Sequence, residues 1–225
     1  MKTQNIIDRR KTMNYDFLSN NKVELTGEIV SKPQYSHEIY GEAFYELKIA
    51  VQRLSNYKDI IPITISSRLM LDTSFEIGNK ISIRGQFRSY NKMVNEKSRL
   101  MLTVFVRELI DECDEQNPNS IEIVGYVCKP PVYRTTPFNR EISDVLLAVN
   151  RAYNKSDYLP CIAWGRNARY IKSLEVGEKV YVTGRIQSRD YQKHTEEGDE
   201  VRTAYEISIS KITSSEKVEL NPQFA

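Results

Sequence analysis

Aromatic and basic side chains are interleaved over a short stretch of this sequence, residues 146–167. Tyr158 and Trp164 supply flat rings, and Arg151 and Arg166 supply guanidinium groups close to them. Rings of this kind can stack on unpaired bases, because every base has a π-face, while the cations contact phosphates. The chemistry that this combination suggests is the binding of unpaired nucleotides.

A β-hairpin is the element expected to position these rings. Val145–Val149 is an apolar run that suits a strand, and Tyr158–Trp164 resumes as a second strand after a polar turn. Successive side chains of a strand point to opposite faces. One face is then made by Leu159, Cys161 and Ala163. The other face carries Tyr158, Ile162 and Trp164.

The hairpin belongs to a longer pattern that resembles a known family. The run AVNRAYNKSDYLPCIAWGRNA is followed by LEVGEKV at 174–180 and by GRIQSRDY at 184–191. In this order and spacing, the segments are similar to the oligonucleotide/oligosaccharide-binding (OB) domain of bacterial single-stranded DNA-binding proteins. The resemblance is clear over residues 120–213 and weaker over 21–110.

The resemblance implies a set of contact residues. Bases stack on aromatics at four places in the family, which fall here on Tyr153, Tyr158, Trp164 and Tyr191. The basic neighbours that would follow the phosphates are Arg151, Lys155, Arg166, Arg185, Arg189 and Lys193. The competing interpretation is that these rings cover the barrel or a subunit interface, as exposed aromatics often do.

The chain also repeats itself at an offset of 98 positions. This offset relates Gly27 to Gly125 and the Ala50-Val51 pair to Ala148-Val149. It also relates Arg53 to Arg151, Asp59 to Asp157 and Arg68 to Arg166. Such a constant offset indicates two copies of one domain. We therefore predict an arm at 1–20, an OB domain at 21–110, an acidic linker at 111–119, a second OB domain at 120–213 and a tail at 214–225.

The first copy lacks the stacking set of the second. Ser55, Ile60 and Ser66 stand where the second copy has Tyr153, Tyr158 and Trp164. This copy has either a structural or dimerising role, or a weaker or displaced path for the nucleic-acid strand. Its candidate residues are Arg53, Tyr57, Arg68, Arg88 and Tyr90.

The predicted fold class is all-β. The strand pattern alone leaves a β-sandwich or an SH3-like barrel open, and the family resemblance implies two tandem OB barrels. Each barrel has five Greek-key strands and a short helix between the third and fourth strands. In the first copy that helix is expected within Ser66–Phe75. Loops are expected around Pro33 and Gly41, at Arg88–Lys92 and at Arg134–Arg140, and both histidines, His37 and His194, are assigned to loops.

Composition and motifs disfavour several other classes of protein. The net charge is only +2 over 225 residues, so any positively charged binding surface must be confined to one face or groove. Three cysteines without a CxxC pair argue against a disulfide scaffold and a zinc site. No phosphate-binding loop, HExxH or GxSxG motif is found, and no apolar run approaches the about 18 residues of a membrane span. We expect no cofactor, no metal and no catalysis.

The expected function is sequence-independent binding and protection of single-stranded DNA in replication, repair or recombination. The alternatives are an accessory interaction module of a primosome or of a phage or plasmid replication system, and an OB-type nuclease. We expect a cytoplasmic, nucleoid-associated homodimer, since two barrels per chain would then give the family's four per particle. The C-terminal residues lack the acidic run with which many bacterial members recruit partner proteins.

Overall fold

Strands make up most of this protein in the computed structural model, which describes residues 20–71, 73–94, 96–111, 116–195 and 198–214. The strands of the first repeat are β1 (Asn21–Ile29), β2 (Gln34–Ile39), β3 (Glu42–Gln52), β4 (Lys58–Ser66), β5 (Lys80–Val94) and β6 (Lys97–Leu109). Those of the second are β7 (Asn119–Val127), β8 (Val132–Thr135), β9 (Glu141–Arg151), β10 (Lys155–Trp164), β11 (Lys179–Thr195) and β12 (Gly198–Ser214). A 3₁₀ helix (Ser67–Met70) follows β4, and helix α1 (Gly165–Lys172) follows β10.

The first repeat closes into a barrel of five strands. β1 pairs antiparallel with both β3 and β5, and β3 continues the ladder to β4. β4 then runs parallel to β6 through the Ile63–Val104 register, and β6 returns to β5. β2 is added at the edge of β3. The second repeat has the corresponding neighbours, with β8 added to β9. The predicted all-β fold class is confirmed.

Alternating aliphatic side chains fill the barrels. In the first repeat Ile49, Ile61, Ile63 and Ile83 are fully buried, and in the second Leu147, Leu159 and Val180 are. Each such side chain stabilises the fold by about 1.5–3 kcal/mol. Gly27 lets β1 cross β3 closely, because a Cβ there would lie 2.7 Å from the Ala50 carbonyl oxygen.

Several segments predicted as loops are strands. Arg88–Lys92 lies inside β5, where Arg88 pairs with Thr103 and Lys92 with Arg99. Because this part of the hairpin bears polar side chains on both faces, the sequence shows no apolar alternation there. The predicted loops near Pro33 and at Arg134–Arg140 likewise contain β2 and the last residues of β8.

The positions of the histidines and of the first helix also differ from prediction. His37 lies in β2 and His194 in β11, so neither is in a loop. The helix expected within Ser66–Phe75 is only the 3₁₀ helix Ser67–Met70.

Contacts between Cα atoms divide the described chain into two compact units. The Trp164 unit comprises the described residues through Lys22, Glu122–Thr183 and those from Ile209. The Asp59 unit comprises Val23–Ile121 and Gly184–Ser208, so the outer parts of β11 and β12 belong to it. The domain boundaries inferred from the repeat remain a prediction. The predicted arm and tail, apart from Asn20 and Ser214, lie outside the described residues, as do linker positions 112–115.

Within the described ranges, no helix combines the length and apolar character that crossing a bilayer requires. Those same ranges contain no group of three His, Cys, Asp or Glu side chains that could hold a metal ion.

Candidate nucleic-acid interface

The β9–β10 hairpin presents two of the predicted aromatic rings to solvent. β10 pairs with β9 along its whole length, from Lys155 opposite Arg151 to Trp164 opposite Ile142. Tyr158 is 43% exposed and Trp164 44% exposed. The alternate side chains Leu159, Cys161 and Ala163 are buried, as predicted. Ile162 shares the outward row of Trp164 but is only 6% exposed, so the open face is interrupted there.

The backbone at Trp164 is fixed from both sides. Trp164 has an extended conformation, with φ −124° and ψ 147°, and α1 begins directly after it. Gly165 has φ +55°, a left-handed conformation that glycine adopts at little cost. The buried Ser143 hydroxyl donates to the Ala168 carbonyl oxygen at 2.8 Å, which ties α1 to β9. The half-exposed indole therefore projects from an anchored strand end.

Tyr153 occupies the turn of the same hairpin in an unusual conformation. Its φ is +61°, and Asn154 beside it has φ +54°. A left-handed conformation costs a non-glycine residue about 1–2 kcal/mol. The Tyr153 side chain is 94% exposed, so no packing contact compensates for that cost. Positive φ at successive residues is common in hairpin turns, and this turn leaves the Tyr153 ring accessible to a ligand.

Three basic residues in this hairpin and at the start of α1 differ in their surroundings. Lys155 and Arg166 are exposed, and neither forms an ion pair with another residue in the described part of the chain. Arg151 is half-buried, with Nε 3.4 Å from Oδ2 of Asp157, a carboxylate that is 1% exposed. Lys155 and Arg166 are thus available to a polyanion, whereas Arg151 compensates a buried charge.

The Asp59 unit contains the other predicted contacts: Tyr191, Arg185, Arg189 and Lys193. Tyr191 is 39% exposed, and Arg189 and Lys193 are exposed as well. Arg185 is different, because its Nη1 lies 3.3 Å from the buried Asp59 carboxylate and its Nη2 donates to Gln187. Burial lowers the pKa of Arg185, nearby Arg53 lowers it further, and Asp59 opposes both effects. Arg185 is therefore part of a buried ionic network.

The weaker candidates of the first repeat are mostly engaged within the protein. Arg53 donates twice to Asp59 and lies over the Tyr57 ring at 4.6 Å. Arg68 pairs with Glu42 at 2.8 Å. Arg88 lies 4.1 Å from the centre of the Phe105 ring. Burial first, and then the Glu46 carboxylate that its hydroxyl contacts at 3.2 Å, raise the pKa of Tyr90 to about 12.

Phe105 and Arg107 were not among the predicted site residues, although they border an open cavity beside β6. Their signal was present in the sequence. Val104 and Val106 are buried apolar residues of β6, and alternation places Phe105 and Arg107 together on the other face of that strand.

Residues 118–215 match the model of the single-strand binding protein family. Single-stranded DNA-binding protein 1 of Staphylococcus aureus (strain COL) is 35% identical over 81 residues, which are 33% of this chain and 48% of that protein. Single-stranded DNA-binding protein A of Bacillus subtilis (strain 168) is 32% identical over 81 residues, covering 33% and 47%. The chain thus spans about half the length of the curated relatives it matches.

A structural likeness extends over both repeats. The crystal structure of wild-type single-stranded DNA binding protein from Thermus aquaticus superimposes with a TM-score of 0.65 at 19% identity. The superposition covers 86% of this chain and 92% of that chain. At this identity the likeness concerns the fold, which is the tandem OB architecture expected from the repeat. Residues 118–215, which are less than half of the chain, are thus similar to the single-strand binding protein family.

Proposed function

We propose that this protein binds single-stranded DNA without preference for base sequence and protects it during replication, repair or recombination. The observation that carries the proposal is the pair of half-exposed rings, Tyr158 and Trp164, on an anchored strand of the family-matching domain. Stacking on exposed rings is tolerant of sequence, because all bases offer a π-face.

In this mechanism the candidate side chains contact bases, contact phosphates or position strands. Bases stack on Trp164, Tyr158 and Tyr153, and Tyr191 is a further stacking residue. The exposed cations Lys155, Arg166, Arg189 and Lys193 contact phosphates. Arg151 and Arg185 instead position strands, since their guanidinium groups adjoin the buried carboxylates of Asp157 and Asp59.

The proposal also covers the oligomeric state of the protein and its location in the cell. We infer a homodimer with four OB barrels per particle, located in the cytoplasm with the nucleoid. Binding proceeds without catalysis and without a metal or cofactor. The tandem repeat is the feature that motivates the count of barrels.

A binding titration tests the proposal. Fluorescence anisotropy of labelled oligo(dT) is expected to show saturable binding that is much tighter than to a duplex of equal length. The slope of log K against log salt should be about −0.7 per phosphate contact. Absence of binding at low salt would overturn the proposal, and hydrolysis of the oligonucleotide on adding Mg²⁺ would favour a nuclease.

Variants identify the interface. Replacing Tyr158 and Trp164 together by alanine should weaken binding by about 2–6 kcal/mol, from about 1–3 kcal/mol per lost stack. Tyr40→Ala is the matched control, because Tyr40 is a fully exposed tyrosine in the turn between β2 and β3. Equal affinities of the two variants would contradict the stacking mechanism.

The interaction-module alternative has one supporting observation. The first repeat lacks the ring set, and its candidate cations Arg53 and Arg68 are bonded to Asp59 and Glu42. An accessory module would show oligo(dT) affinity no stronger than its duplex affinity at every salt concentration.

A further inference from the structure

β11 passes from the interior of the Asp59 unit to its surface within a few residues. Ile186 and Ser188 are buried, whereas every residue from Arg189 to Lys193 is exposed. Alternation along a strand places Arg189, Tyr191 and Lys193 on one face. These three are the proposed contacts of this segment, so the register in which β11 leaves the interior decides where they point.

Burial does not specify that register beyond Ser188. The intervening side chains, Asp190 and Gln192, are also polar and exposed. A strand with two polar faces is prone to slip, and a slip of one residue turns every side chain to the other face. The exposed segment of β11 therefore needs a fixed point where it leaves the interior.

Asn119 provides one fixed point, because its side-chain amide bonds both backbone groups of Ile186. Its Nδ2 donates to the Ile186 carbonyl oxygen at 2.7 Å, and its Oδ1 accepts from the Ile186 N–H at 2.9 Å. Asn119 is 7% exposed, so both bonds are shielded from water. A residue of a neighbouring antiparallel strand forms the same pair of bonds. Asn119 thus selects one residue of β11 as its partner.

The Arg53–Asp59 ion pair provides a second fixed point, two residues farther along β11. The Asp59 carboxylate accepts from the Ser188 N–H at 2.7 Å, and Arg53 Nη2 donates to the Ser188 carbonyl oxygen at 3.2 Å. The Ser188 hydroxyl accepts from the Ile60 N–H at 3.1 Å. Side chains therefore bond alternate residues of β11 as a strand partner would. A shift of β11 by one residue would break the bonds at both points.

We propose that Asn119 and Asp59 are positioning residues for single-stranded DNA. They fix the register of β11 and so turn Arg189, Tyr191 and Lys193 toward the bound nucleotides. The inference rests on the proposed function, and through Asp59 it gives the first repeat a part in binding that requires no stacking ring.

Photo-crosslinking of the full chain tests where the contact residues lie. Oligo(dT) with 5-iodouracil in place of some bases is irradiated in the complex, and the attached peptides are mapped by mass spectrometry. The unmodified protein should form adducts on Tyr191 and on the β9–β10 hairpin. Asn119→Ala should lose most adducts on Tyr191 and keep those on the hairpin, because Ile186 loses its fixed point. Adducts on the hairpin alone in the unmodified protein would overturn the positioning role.

The salt dependence of oligo(dT) binding gives a second readout. Replacing Arg189 and Lys193 together by glutamine should reduce the salt slope by about 1.4, the value for two phosphate contacts. Asn119→Ala should reduce the slope by a similar amount, and combining all three replacements should reduce it no further. Additive changes would overturn the proposal, because Asn119 would then not act through these cations.

Two further variants separate positioning from folding, which urea midpoints verify for every variant. Ser188→Ala is milder than Asn119→Ala, because the Ser188 N–H keeps its bond to Asp59, and it should lose part of the Tyr191 adducts. Thr203→Ala is the matched control, since it also removes a hydroxyl that bonds β11, to Asp190 at 2.7 Å, but on an exposed face. Its adducts and slope should equal those of the unmodified protein.

The outcomes distinguish this proposal from the proposed function. Unchanged Tyr191 adducts and an unchanged slope in folded Asn119→Ala and Ser188→Ala would overturn the positioning role alone, as would an equal loss of these adducts in Thr203→Ala. Absence of oligo(dT) binding by the unmodified protein would overturn the proposed function as well.

Discussion

Asp59 is a buried charge with several partners in the Asp59 unit, and its replacement by asparagine tests what this network contributes. The carboxylate is fully buried. It accepts from Arg53 Nε at 2.7 Å and Arg53 Nη2 at 2.5 Å, and Arg185 Nη1 is 3.3 Å away. The Ser188 amide donates at 2.7 Å. These contacts join β4 to the outer part of β11.

The expected cost follows from this geometry. In Asp59→Asn the amide oxygen can replace only one carboxylate oxygen, so the amide NH₂ group faces the N–H donors that the other oxygen served. Two guanidinium groups would also lose their countercharge. Breaking a buried pair by removing one partner costs about 3–5 kcal/mol. We expect the free energy of unfolding to fall by about this amount.

Urea denaturation followed by circular dichroism measures the change, and hydrogen exchange localises it. Peptides covering residues 184–208 should exchange faster, because Asp59→Asn weakens the network that holds Arg185 and Ser188 of β11. Glu28→Gln is the control, since its pair with Lys58 is about half exposed and exposed pairs contribute about 0–1 kcal/mol. If Asp59→Asn costs less than about 1 kcal/mol and leaves exchange unchanged, the network does not stabilise the unit.

Three further predictions concern single side chains. Arg166→Gln should reduce the salt slope of oligo(dT) binding by about 0.7 without changing the urea midpoint; an unchanged slope would remove Arg166 from the phosphate contacts. Tyr153→Gly and Tyr40→Gly should each raise the free energy of unfolding by up to about 1 kcal/mol, since both tyrosines have positive φ. Only Tyr153→Gly should weaken the binding of oligo(dT). Equal oligo(dT) affinities of the two variants would exclude a contact by Tyr153. Gly27→Ala should lower the free energy of unfolding more than Gly125→Ala, with both losses within about 1–3 kcal/mol. The reason is that the new Cβ would lie 2.7 Å from a carbonyl oxygen at position 27 and 3.0 Å at position 125. A lower melting temperature for Gly125→Ala than for Gly27→Ala would contradict this reasoning.

Two patterns in the sequence predicted a repeated all-β fold, and the family resemblance then selected the OB barrel. The offset of 98 positions defined the repeat, and alternation in segments such as Leu159–Ala163 identified the buried face. Where strands extend beyond the core, both faces are polar, and alternation disappears. For this reason Arg88–Lys92 was predicted as a loop, although it lies in β5.

The surroundings of individual charges were harder to predict. Arg185 and Arg166 look alike in sequence, yet Arg185 adjoins a carboxylate that lies 126 residues away in the chain, while Arg166 is exposed. Only the tertiary fold brings Arg185 to Asp59. The cavity beside Phe105 was missed for the same reason, because its walls come from β3, β4 and β6, which are far apart in the chain.

The emission of Trp164 tests the central claim most directly, because Trp164 is the only tryptophan in the chain. Titration with oligo(dT) at low salt should quench this emission strongly, and added salt should restore it as the strand dissociates. Emission that stays constant while anisotropy reports a saturated complex would contradict stacking on this ring.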